Sequence, residues 1–93
     1  MVKAVWENII LAESDNTVIV EGNHYFPPDD VKKEYLVESD HRTRCPWKGL
    51  AHYYHVMSDD KKSENAAWTY PEPKEKARHI RDHIAFAKDI KVE

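Results

Sequence analysis

Short apolar runs separated by turn residues fill the first third of the chain, and this pattern limits the fold more than any other feature. Residues 4–6 and 9–12 flank Glu7-Asn8, a two-residue interval that suits a β-hairpin. Residues 17–21 are β-branched and largely apolar, which is typical of a buried strand, and Gly22 ends the run. We therefore expect a mainly β fold built from antiparallel strands.

The rest of the chain predicts further strands and one helix. Strand character returns at residues 35–38, 50–57, 66–70 and 90–92, whereas residues 58–65 read as a polar, charged loop. Pro73 fits the first position of a helix. Apolar side chains then recur at helical spacing, at Ala77, Ile80, Ile84 and Ala87. We expect a C-terminal α-helix there.

Size and composition predict one small globular domain over residues 1–93. The chain is 41% hydrophobic, which is enough to build a core, and its single cysteine excludes an internal disulfide. A net charge of −3 gives no footprint for nucleic acid. No signal peptide and no apolar run of membrane-spanning length is present, so we expect a cytoplasmic protein without a membrane or nucleic-acid partner.

The pentapeptide Cys45-Pro46-Trp47-Lys48-Gly49 is the first candidate site. A cysteine acts as a nucleophile in its thiolate form, which a neighbouring cation favours. Lys48 lies three residues after Cys45, and His41 would share a strand face with it. The alternative is that Cys45 is a small buried apolar side chain.

Aromatic side chains are dense around the same motif and predict a ligand pocket. Its walls would be Tyr25, Trp47, Trp68 and Tyr70, with His24 and Glu34 as polar contacts. The alternative is that a small β domain needs these large side chains to fill its core.

Metal and cofactor sites are not indicated. His79 and His83 lie four residues apart on the predicted helix, but a zinc site needs four ligands and no cysteine pair is present. Glycine-rich phosphate loops are absent from a chain with two glycines. We expect no cofactor.

Three strings carry a resemblance to a known family. They are Glu21-Gly22-Asn23-His24-Tyr25-Phe26-Pro27, the Cys45 pentapeptide, and Ala66-Ala67-Trp68-Thr69-Tyr70-Pro71-Glu72-Pro73. Together they resemble the domain of unknown function 427 family, which carries a nucleotidyltransferase-like label. The resemblance covers nearly the whole chain. It implies a β-tent-like fold of two small antiparallel sheets that meet at an angle, followed by a C-terminal α-helix.

Three functional hypotheses follow. The first is a domain that binds a small molecule in the aromatic pocket, with Cys45 and Lys48 at its base. The second is a cysteine-dependent enzyme that uses Cys45 as nucleophile in the same pocket, assisted by Lys48 or His41. The third is a protein-interaction module without a concave pocket. The ligand and the oligomeric state are left open by the sequence.

Overall fold

The computed structural model describes residues 1–93 as nine strands in three antiparallel sheets, joined by three short 3-10 turns. The strands are β1 Val2–Trp6, β2 Ile9–Ser14, β3 Val18–Val20, β4 Asn23–Tyr25, β5 Leu36–Cys45, β6 Gly49–Ser58, β7 Lys61–Thr69, β8 Ile84–Phe86 and β9 Lys91–Val92. The 3-10 turns are Pro28–Asp30, Lys33–Tyr35 and Glu75–Ile80. The mainly β prediction is confirmed, with three sheets in place of two.

The first sheet has the strand order β2-β1-β9 and begins with the predicted hairpin. Glu7 and Asn8 form its turn with φ angles of 50° and 64°. Two consecutive residues with positive φ are the signature of the hairpin turn whose twist matches that of its strands. The short strand β9 pairs with β1 on the other side, which confirms the predicted last strand.

The second sheet contains only β3 and β4. Val20 is buried on one side of β3, whereas Ile19 is 63% exposed. The prediction of a strand is therefore confirmed, but the prediction that it is buried throughout was wrong. A two-stranded sheet covers one face of each strand and leaves the other in water.

The third sheet, in the order β5-β6-β7-β8, has two chemically different faces. On β6 and β7, Tyr53 lies opposite Trp68 and His52 lies opposite Thr69, in adjacent register positions. Neighbouring residues of a strand point to opposite faces, so these two pairs lie on different sides of the sheet. We call the sides the Cys45 face (Cys45, Tyr53, Trp68) and the Tyr54 face (His52, Tyr54, Thr69).

Residues 58–65 do not form the predicted loop. Ser58 and Lys61 are partners at the end of a β6–β7 hairpin, and Asp59 adopts a φ of 52° in its turn. Most side chains of this segment are exposed and charged, while Ser63 is buried. A strand with solvated side chains lacks the apolar alternation on which the sequence-based assignment depended.

The predicted C-terminal α-helix is wrong. Only the 3-10 turn Glu75–Ile80 forms, and Asp82 then adopts a φ of 60° and redirects the chain. After His83, the three residues Ile84–Phe86 are all buried and pair with β7. The backbone of Ile84 also exchanges two hydrogen bonds with that of Phe26, at 2.8 and 2.9 Å. The spacing of Ala77 and Ile80 thus reflects one buried turn. The chain after it pairs with β7 and with the backbone of Phe26.

The interior divides into two apolar clusters. The larger one lies around Trp6, Leu11, Phe26, Val56 and Phe86. The smaller one contains Val20, Tyr25, Ala51, Tyr70, Ala77, Ile80 and Ala85, and it packs against the Cys45 face. None of the helical turns is long or apolar enough to cross a membrane.

Candidate functional site

The Cys45 pentapeptide forms the tip of the β5–β6 hairpin. Cys45 and Gly49 are the last paired residues, so Pro46, Trp47 and Lys48 make a three-residue connection. Gly49 adopts a φ of 116°, a region that favours glycine. A Cβ atom at Gly49 would also lie 3.3 Å from the backbone oxygen of Glu72. The glycine therefore permits both the turn and its close approach to the segment after Pro71.

Lys48 extends back into the protein and is the single buried charged residue. Its ammonium pairs with the Glu21 carboxylate and lies 5.5 Å from the ring centroid of Trp47 and 5.6 Å from that of Tyr70. The Trp47 indole N–H donates a second hydrogen bond to Glu21, at 3.3 Å. Glu21 and Gly22 lie in the β3–β4 turn, so these contacts connect two sheets.

The ionisation of these groups follows from the contacts. Burial lowers the Lys48 pKa, but the hydrogen bond to Glu21, aided by nearby Tyr25, Tyr70 and Cys45, outweighs burial, and the net pKa is raised. Hydrogen bonds from Lys48 and Trp47 lower the pKa of Glu21. Burial raises the pKa of Tyr70 to about 12, although the Lys48 charge opposes the shift. At neutral pH the site therefore holds an ammonium, a carboxylate and a neutral phenol.

Three of the four predicted pocket walls pack against one another. The Tyr25 ring lies 6.4 Å from that of Trp68, edge to face, and 6.5 Å from that of Tyr70. The Trp68 indole N–H donates to the Tyr25 hydroxyl at 3.2 Å. Tyr25 is fully buried and Tyr70 nearly so, whereas Trp47 is 37% exposed. Tyr25, Trp68 and Tyr70 thus form an aromatic cluster in the smaller core, and Trp47 lies at its edge.

The remaining predicted residues are dispersed. Cys45 is half-buried against the smaller core. The His41 ring contacts the Tyr53 ring edge to face, with the ring centroids 4.6 Å apart. His41 lies four strand residues before Cys45, which corresponds to about 13 Å at ~3.3 Å per residue. His24 contacts the Thr17 hydroxyl at 2.8 Å. Glu34 is exposed on a 3-10 turn.

A cavity of about 680 Å³ lies on the Tyr54 face, and none of the nine predicted site residues lines it. Buried Thr69 and Ile84 are among its lining residues, together with half-buried His52 and Tyr54. Six exposed charged residues surround the opening: Asp29, Lys33, Glu38, Arg42, Glu72 and Asp82. The cavity is thus closed by strand residues at its base and charged at its rim.

The hydroxyl of Thr69 is the one buried side-chain oxygen or nitrogen without a hydrogen-bond partner. Thr69 is 6% exposed and lies at the end of β7, opposite His52. By contrast, the buried hydroxyl of Ser39 in the same cavity donates to Asn65. An unpaired buried hydroxyl costs free energy, and such a group calls for an explanation.

The rim charges act on the cavity interior. Burial raises the pKa of Tyr54, and the carboxylates of Glu38 and Asp82 raise it further. Arg42 makes no ion pair with these carboxylates; one nitrogen of its guanidinium, Nη1, donates to the backbone oxygens of Ser39 and His41, each at 2.8 Å. The cavity lining therefore combines a phenol with an excess of carboxylates over cations.

A family model described as a domain of unknown function (DUF427), with the label NTP_transf_9, matches residues 1–93. The chain belongs to this family. A search of the curated proteins finds no match to the chain. In this DUF427 domain, no three His, Cys, Asp or Glu side chains are grouped so that they could hold a metal ion.

Sequence reasoning missed the cavity of this DUF427 domain, although one signal of it was present. His52 and Tyr54 alternate on one strand, which indicates that they share a face. Thr69 lies between Trp68 and Tyr70, and the motif was interpreted through these two aromatic residues. That its hydroxyl lacks a partner depends on the packing of three strands, and no local pattern encodes that.

Proposed function

We propose that this DUF427 domain binds a small molecule in the cavity on the Tyr54 face. The observation that carries the proposal is the unpartnered buried hydroxyl of Thr69, a residue that lines a cavity of about 680 Å³. Small-molecule sites have volumes of ~300–1,000 Å³ and contain a few placed polar groups that orient the ligand. A ligand that hydrogen-bonds Thr69 would recover the free energy that the unpaired hydroxyl costs.

The lining also supports a polar ligand. Only three of the 14 lining residues are hydrophobic, whereas most ligand sites are predominantly apolar. His52 and Tyr54 add a ring nitrogen pair and a phenol beside Thr69. The same site would therefore recognise its ligand through hydrogen bonds and charge more than through apolar area.

We further propose that the two larger sheets meet at an angle, as in a β-tent. A cytoplasmic location belongs to the same proposal, because a single free thiol is typical of reducing compartments.

A ligand panel tests the proposal by thermal unfolding. Nucleotides, cyclic imides, amines and common metabolites are added to the full chain, and each stabilising compound is mapped by amide chemical shifts. A compound at one hundred times its Kd stabilises by about 2.7 kcal/mol. We expect the shifts to centre on His52, Thr69 and Asp82, and the stabilisation to persist in Trp47→Ala, because Trp47 and its partners Glu21 and Lys48 do not line the cavity.

A second candidate, the small-molecule or thiol-enzyme site at the Cys45 pentapeptide, is favoured by the position of Cys45 against the core that contains Tyr70, the ring over which the Lys48 ammonium lies. The same panel separates the two sites. Shifts that centre on Trp47 and Lys48, with stabilisation lost in Trp47→Ala, would contradict the cavity proposal and support the hairpin tip. Turnover of a panel compound that disappears in Cys45→Ser would support the enzyme. A panel with no stabilising compound would leave the interaction module as the better account.

A further inference from the structure

The charges around the cavity on the Tyr54 face are unbalanced. Four carboxylates, those of Asp29, Glu38, Glu72 and Asp82, oppose two cations, Lys33 and Arg42, so the lining has a net charge of −2 with His52 neutral. A surplus of one sign of charge around a cavity raises the local concentration of ions of the opposite sign, here cations.

The carboxylates of the rim are free of ion pairs with the rim cations. Asp29, Glu38 and Glu72 take part in no ion pair, and Asp82 has one contact of 4.0 Å, with exposed Arg81 outside the cavity. Arg42 hydrogen-bonds backbone oxygens through Nη1 and makes no ion pair with a rim carboxylate. The rim carboxylates therefore have oxygen atoms free to contact a ligand.

Tyr54 lines the same cavity as these carboxylates. Burial raises the pKa of its half-buried phenol, and Glu38 and Asp82 raise that pKa further. A negative field that disfavours a phenolate favours a cation at the same place. The ring of Tyr54 offers such a cation a further electrostatic contact.

We propose that the ligand of this cavity is a small organic cation, an amine or a guanidine, that also carries a group able to hydrogen-bond Thr69. This inference rests on the proposed function of the cavity. The cationic end would lie near Glu38, Asp82 and Tyr54, and the hydrogen-bonding end would reach the buried hydroxyl. The rim disfavours phosphate-rich ligands, including the nucleoside triphosphates to which the family label refers.

Three probes with one ring and different charge test the inference. Tyramine is a cation, 4-ethylphenol is neutral and 3-(4-hydroxyphenyl)propanoate is an anion. Each is titrated into ¹⁵N-labelled full chain, and Kd is measured from the amide shifts. We expect tyramine to shift the amides of His52, Thr69 and Asp82 and to bind about fivefold or more tightly than 4-ethylphenol, with the anion weakest.

Charge-neutralising variants supply the second arm. Glu38→Gln and Asp82→Asn should each weaken tyramine about fivefold, because each removes one partly exposed charge partner. Asn tolerates the positive φ of Asp82, so the turn is preserved. Glu13→Gln removes the same charge from the first sheet, outside the cavity, and should leave the Kd unchanged.

Several results would overturn the inference. If 4-ethylphenol or the propanoate shifts the cavity amides with an equal or lower Kd than tyramine, the cation assignment fails while the cavity remains a binding site. Unchanged tyramine affinity in both carboxylate variants also overturns it. If millimolar tyramine leaves the cavity amides unshifted, the ligand class is wrong, and the ligand panel alone then decides whether the cavity binds anything.

Discussion

Lys48 stays charged although its side chain is 8% exposed, because the fold provides partners on several sides. Glu21 supplies a carboxylate, and the rings of Trp47 and Tyr70 supply their negative faces. A buried ammonium that loses its partner is costly, so these contacts matter for stability whether or not the site has chemistry. The residue connects the hairpin tip to the β3–β4 turn.

The Glu21–Lys48 pair predicts a specific pH dependence of the free energy of unfolding. Glu21 has a lowered pKa, so its contribution is present above its ordinary value of 4.5 and is lost as pH falls through the lowered pKa. Lys48 has a raised pKa, so its contribution is present below 10.5 and is lost as pH rises through the raised value. Urea unfolding across pH should show both losses.

Glu21→Gln tests this directly. The variant should be less stable at neutral pH, since Lys48 keeps its burial and loses its carboxylate, and its stability should fall less on acidification. Glu13→Gln is the matched control, because Glu13 makes only a 3.9 Å contact with Lys3, with both side chains 43% exposed. An acid profile of Glu21→Gln identical to that of the wild type would refute the role of the pair.

The β5–β6 hairpin depends on Gly49 in two ways, and a pair of glycine variants separates them. Gly49→Ala should lower the free energy of unfolding by about 2–3 kcal/mol, from its positive φ and from the contact with the Glu72 backbone. Gly22 has a φ of 81°, but a Cβ atom added there would have no other atom within 4 Å. Gly22→Ala should therefore lower the free energy of unfolding by only about 1 kcal/mol. Equal losses in urea unfolding would show that the close approach does not matter.

Elements with local causes were predictable from the sequence, whereas elements with distant partners were not. The β1–β2 hairpin follows from Glu7-Asn8 between apolar runs, and its turn has the expected backbone. The segment Ile84–Phe86 is a strand because β7 and Phe26 provide hydrogen-bonding partners from elsewhere in the chain. Helical spacing over residues 77–87 could not reveal those partners.

At the scale of the whole molecule, one sheet serves two purposes. Its Cys45 face packs on the smaller core, where the rings of Tyr25, Trp68 and Tyr70 pack against one another. Its Tyr54 face packs in part on the larger core, through Val56 and Ala67, and borders the cavity elsewhere. Aromatic density in the sequence identified the first face, because large side chains are needed in a core of this size. The cavity on the second face is lined mostly by polar residues, and their convergence depends on tertiary structure.

The central claim is that the Thr69 hydroxyl serves to bind a ligand and does not stabilise the fold. Thr69→Val removes an unpaired buried hydroxyl at nearly constant shape, so it should raise the free energy of unfolding by about 1 kcal/mol without ligand. The same variant should bind the cavity ligand more weakly. Thr17→Val is the control, because the Thr17 hydroxyl hydrogen-bonds the His24 ring at 2.8 Å and neither residue lines the cavity.

The most direct measurement is therefore a paired one on wild type, Thr69→Val and Thr17→Val: urea unfolding without ligand, and the Kd of the best panel compound from amide shifts. We expect Thr69→Val alone to gain stability and lose affinity, and Thr17→Val to keep its affinity with equal or slightly lower stability. A Thr69→Val protein that is less stable than the wild type and binds equally well would contradict the account.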